Sequence, residues 1–126
     1  DNKNIEFIKL LPPEDLWKIY ISKTITIISL KGCYCNYAFP SRIASSLSFG
    51  APILFLTTGK LSTNYIYKFI YKYNIGEVIN INDIDQFLKS YELIERNYST
   101  YSENAINCYQ DLMSKEINMN KFLLEL

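Results

Sequence analysis

The sequence predicts an α/β fold in which a parallel sheet carries helices on both faces. Two observations predict it. Short, nearly all-apolar runs, the β-branched Thr24 to Leu30 and Pro52 to Leu56 foremost, have the composition of strands buried on both sides. Between such runs lie segments whose apolar residues recur at helical spacing, and the two element types alternate along the chain.

The elements follow in order. Ile5 to Leu10 (I-E-F-I-K-L) alternates imperfectly and reads as a strand. Pro12-Pro13-Glu14-Asp15 opens a helix: proline is tolerated in a first turn, and the acids suit its positive end. Leu16, Ile19 and Tyr20 give that helix one apolar face. After the strand Thr24 to Leu30 comes the polar loop Lys31-Gly32-Cys33-Tyr34-Cys35-Asn36. Pro40-Ser41 starts a second helix and Gly50 stops it, with Ile43 and Leu47 on its inner face. Pro52 to Leu56 is the next strand, and Thr57 to Lys60 a loop. Ser62 is placed to cap a helix carrying Tyr65, Ile66, Phe69, Ile70 and Tyr73. Ile75 to Ile79 is a strand. Asn82 or Asp83 then caps a helix with Ile84, Phe87, Leu88, Tyr91 and Ile94 on one face. Helical patterning resumes near Thr100 through Tyr101, Ala105, Cys108, Tyr109 and Leu112, and Met119 to Leu126 is a last amphipathic segment. The order is therefore β-α-β-α-β-α-β-α-α. Ligands of such sheets sit at the carboxyl ends of the strands, beside helix N-termini. That rim comprises residues 31–41, 57–62 and 80–83.

Composition narrows the function classes. The 126 residues suffice for one domain and no more, and 48% apolar content rules against disorder. Thirteen basic residues balance thirteen acidic ones with no like-charge block, which argues against nucleic-acid binding. No run is long enough to span a bilayer, and the polar start Asp1-Asn2-Lys3-Asn4 is no signal peptide. The expected location is cytoplasmic. Histidine is absent, so every His-dependent mechanism is excluded. Three cysteines without secretory features point to a reducing compartment, and Cys33-x-Cys35 is too close for the usual zinc knuckle, so no metal is expected. Eleven tyrosines accompany heavy use of isoleucine, lysine and asparagine, a coding bias that gives tyrosine no special weight as a ligand. The missing initiator methionine suggests a piece of something longer or a trimmed chain.

The chemistry-bearing feature is the helix start Pro40-Ser41-Arg42. A helix N-terminus offers unpaired N–H groups and partial positive charge; Ser41 adds a hydroxyl and Arg42 a forked cation suited to phosphate. Taken alone, these residues are ordinary capping chemistry with a solvated arginine. Their setting adds weight. The strand end Ile27-Ile28-Ser29-Leu30, then Pro40-Ser41-Arg42-Ile43, then Gly50-Ala51-Pro52-Ile53-Leu54, resembles the ordered motifs of bacterial glycosyltransferases of the two-Rossmann-domain (GT-B) type, family 4-like. Pro13-Glu14-Asp15-Leu16 with Tyr20 is similar to that family's preceding helix. Tyr73 to Val78 resembles its x-x-x-Gly-x-Val segment. Asn104-Ala105, Tyr109 and Ser114-Lys115-Glu116 look like its C-terminal helices.

The resemblance covers the whole chain and implies a single Rossmann-like domain over 1–126, the donor-binding C-terminal part of a sugar transferase. The donor would be a nucleoside-diphosphate sugar, with the leaving diphosphate stabilised by helix dipole and cation instead of a metal. Pro40, Ser41 and Arg42 would lie at the diphosphate or sugar, Asn36 and Tyr37 would line the loop, and Ser45 would stand where relatives face the ribose. Gly50 and Pro52 would fix the helix-to-strand turn. The acceptor domain, any catalytic base and the basic phosphate ligands contributed by earlier βα units would lie upstream. The 126 residues alone are therefore expected to be inactive. Transfer to a polysaccharide or lipid-linked acceptor, with retained anomeric configuration and peripheral membrane association through the acceptor domain, is the family's implied setting.

Two positions depart from the pattern. Many relatives carry a glutamate in the loop and another eight residues on, whereas here Tyr37 and Ser45 stand at those places, and the motif lysine is Arg42. These departures fit a second reading, a non-catalytic nucleotide-binding or interaction module such as a partner subunit. A receiver- or flavodoxin-like regulatory domain is poorly matched, because no acidic cluster ends the first strand.

Overall fold

A computed structural model of the chain describes residues 5–34, 38–58, 60–61 and 64–118. Three parallel strands, β1 (Thr26–Leu30), β2 (Ile53–Thr57) and β3 (Gly76–Asn80), pair in the order β1-β2-β3. Helix α1 (Pro13–Ile21) precedes β1. Helices α2 (Ser41–Ser48) and α3 (Tyr65–Tyr73) make the two crossovers, and α4 (Ile84–Arg96) and α5 (Tyr98–Leu112) follow β3. The result is an α/β arrangement compatible with a Rossmann-like fold.

The sheet register explains the two cores. Ile28 of β1, Phe55 of β2 and Val78 of β3 stand in one row. They join Ile43 and Leu47 of α2, Ile66 and Ile70 of α3, and Ala105 and Cys108 of α5. On β2 the intervening residue Leu54 points the other way, as strand alternation requires, and joins Ile79, Ile94 of α4 and Tyr101 of α5. Helix α5 thus reaches both clusters, packing against α2, α3 and α4.

Two glycines make close packing possible. Gly50 ends α2 at φ +66°, in the left-handed region, and a β-carbon there would meet Ser102 Oγ at 2.9 Å and Ile106 at 3.0 Å. At Gly76, the first residue of β3, a β-carbon would collide with the Ile53 backbone.

Several sequence expectations are corrected. Ile5 to Leu10 is not a strand. It joins no sheet, and Phe7 is 95% exposed, because no strand lies beside it to reward pairing. The predicted four-stranded order therefore becomes α-β-α-β-α-β-α-α. In α1 no residue is buried, so the apolar face of Leu16, Ile19 and Tyr20 finds no core; Tyr20 instead stacks on Phe49, with ring centroids 4.9 Å apart. β1 is not buried on both faces: Ile28 is buried, but Ile27, which strand alternation turns to the opposite face of this edge strand, is 49% exposed. In α4 the inner face is Phe87, Ser90 and Ile94, leaving Ile84 and Leu88 largely in solvent and Tyr91 partly so. A short 3₁₀ turn, Gly32–Tyr34, interrupts the predicted loop after β1. The segment Met119 to Leu126 and the cap Ser62 lie outside the described residues.

Candidate functional site

The three strands end together at Leu30, Thr57 and Asn80, and the register pairs Leu30 with Thr57 and Thr57 with Asn80. A depression of about 190 Å³ opens here, lined by Ser29, Leu30 and Lys31 on one side and Leu56, Thr57 and Thr58 on the other. A wider one of about 480 Å³ lies beside Asn80, Asn82, Asp83 and Asp85 at the start of α4. Both fall on the rim where doubly wound sheets hold ligands. The small one mixes Ser29, Thr57 and Thr58 hydroxyls and the Lys31 amine with the aliphatic Leu30, Leu56 and Ile81; the wide one carries acids and amides.

Helix α2 enters the same rim. The ends of its leading loop are drawn together by a hydrogen bond from the Ala38 N–H to the Tyr34 carbonyl, 2.9 Å. Phe39 stands edge-on against Phe69 of α3, centroids 5.2 Å apart, which ties the start of α2 to its neighbour. Pro40 is the N-cap residue in extended conformation, and its side chain caps nothing. The helices that follow β2 and β3 differ. Asn64 Oδ1 accepts from the N–H groups of Ile66 (2.8 Å) and Tyr67 (3.2 Å), and Asp83 accepts from Gln86 N–H at 2.9 Å. Among the described residues the first turn of α2 therefore keeps its positive end without a side-chain cap.

Ser41, Arg42 and Ser45 are all exposed, while Ile43, Ser46 and Leu47 turn inward. The spacing i, i+1, i+4 puts the three on one face, and Arg42 makes no ion pair among the described residues. Serine hydroxyls on this helix bond back to its own carbonyls: Ser45 to Ser41 (3.4 Å), Ser46 to Arg42 (2.7 Å) and Ser48 to Ser45 (2.8 Å). The Ser46 bond satisfies the hydroxyl of a fully buried residue.

Of the residues predicted for the site, the structure thus brings Pro40, Ser41, Arg42 and Ser45 to one helix start. Asn36 and Tyr37 lie outside the described residues. Ser29 was not foreseen as a lining residue; its signal was a hydroxyl near the carboxyl end of a predicted parallel strand. Among the described residues no three metal-ligating side chains gather, and no helix is long and apolar enough to cross a membrane.

The perturbed side chains form a separate group. Tyr71 Oη donates to Glu77 Oε2 (3.0 Å) and Tyr101 Oη to Glu77 Oε1 (2.7 Å). Burial, reinforced by the neighbouring carboxylate, pushes Tyr71 up to about 12 and raises Tyr101 further. Burial also raises Tyr98 and pushes the Cys108 thiol to about 11, with Asp111 adding to the latter. Three of these four groups lie on α5, away from the rim, and their partners mark them as packing features.

The chain is thus an α/β protein whose three-stranded parallel sheet is flanked by helices, with a polar rim at the strand ends. Comparison with protein-family models, curated proteins and solved structures returns no match.

Proposed function

We propose that the chain is the nucleotide-sugar-binding part of a glycosyltransferase of GT-B type, working in the cytoplasm at the inner face of the membrane on a polysaccharide or lipid-linked acceptor. One observation carries this reading: the first turn of α2, without a side-chain cap, presents Ser41, Arg42 and Ser45 on one exposed face at the carboxyl edge of the sheet. The ordered motifs around it, from Ile27 to Leu54, supply the family. In this reading the diphosphate of the donor lies on the first-turn N–H groups and the Arg42 guanidinium, which together offset the negative charge that grows on the leaving group. The Ser29 hydroxyl near the end of β1 lines the depression beside which the rest of the donor would lie. The acceptor domain and the catalytic base come from polypeptide other than these residues.

A second reading, a nucleotide-binding or interaction module without transferase activity, is favoured by one observation. The exposed α2 face has no carboxylate, and the Ser45 hydroxyl is engaged with the Ser41 carbonyl.

Calorimetric titration with uridine, guanosine and thymidine diphosphates tests the proposal. Saturable binding of one of them, weakened by Arg42→Ala, supports it. Failure of a longer polypeptide with both halves to bind any of the three removes it. Binding without sugar transfer by that longer polypeptide selects the second reading.

A further inference from the structure

We draw no further inference here: the strongest candidate, the apolar surface formed by the uncovered edge strand β1 with Ile27, the unburied helix α1 with Leu16 and Trp17, and the unpaired segment from Ile5 to Leu10, carries nothing because no feature of the structure shows what covers it.

Discussion

Gly76 lies so tightly against Ile53 that a β-carbon on it would stand 2.7 Å from the Ile53 carbonyl carbon and closer still to its oxygen. The two residues are register partners at the start of β2 and β3, and Ile53 N–H donates to the Ile75 carbonyl beside them at 3.0 Å. Both partners are backbone, so neither can swing aside. Gly76→Ala is expected to cost about 3 kcal/mol or more, beyond the usual range for a mild overpacking. Urea unfolding followed by far-ultraviolet circular dichroism measures the loss.

Gly50→Ala meets a softer obstacle. Its contacts are the side chains of Ser102 and Ile106, but φ +66° adds strain. A loss of about 1–2 kcal/mol is expected. Adding Ile106→Ala should recover part of it if crowding contributes. A double-mutant cycle on unfolding free energies separates crowding from strain.

Asn64 is buried and its amide oxygen holds two N–H groups of the first turn of α3. Asn64→Ala is expected to cost about 1–2 kcal/mol, and Asn64→Ser to recover part of that because serine keeps an acceptor. Thermal denaturation of the three proteins decides it.

Alkaline pH should unfold the protein early. Cys108, Tyr71, Tyr98 and Tyr101 all bind their protons more tightly when folded than at their ordinary values near 9 and 10. Above those ordinary values the unfolded chain releases protons that the folded chain retains, so stability falls as pH rises. The loss begins near pH 9 and continues through the folded values, about 11 for Cys108 and about 12 for Tyr71. Below pH 9 these groups contribute no slope. Tyr101→Phe removes one donor from Glu77, costing about 1–2 kcal/mol at neutral pH, and makes the alkaline decline shallower. Unfolding midpoints taken from pH 7 to 11 check both.

Arg42 is the residue on which the functional proposal turns. Arg42→Ala is expected to weaken nucleoside-diphosphate binding about tenfold, and Arg42→Lys to weaken it less, since lysine keeps charge but loses the fork. Neither should move the thermal midpoint, because the side chain is exposed and unpaired among the described residues. Calorimetry and thermal scans on the same preparations read the two effects separately.

The alternation of elements was legible because three short strand-like runs and the helices between them carry strong local patterns. Gly50 marked a stop and Asn82 or Asp83 a start for local backbone reasons; Gly50 takes its role and, of the pair, Asp83 is the cap. What the sequence concealed depends on neighbours. Ile5 to Leu10 has strand composition, yet a strand exists only where another edge receives it. Likewise, apolar spacing in α1 and α4 identifies helices but not how much of each stripe a core reaches, so Ile84 and Leu88 remain mostly in water. At the site, Pro40, Ser41 and Arg42 were readable as a helix start, whereas Ser45 came only from the family resemblance. The absence of a side-chain cap on α2, set against Asn64 on α3, required coordinates.

Helix α5 also has a bearing on the order in which the protein can be made. It supplies Ala105 and Cys108 to one cluster and Tyr101 to the other, so neither layer closes without it. All three strands leave the ribosome before α5 does, and until it emerges the nascent sheet carries two incomplete oily surfaces. Completion therefore waits for residues 98–112, and chaperones that shield apolar surface have their window on this polypeptide before that helix is made.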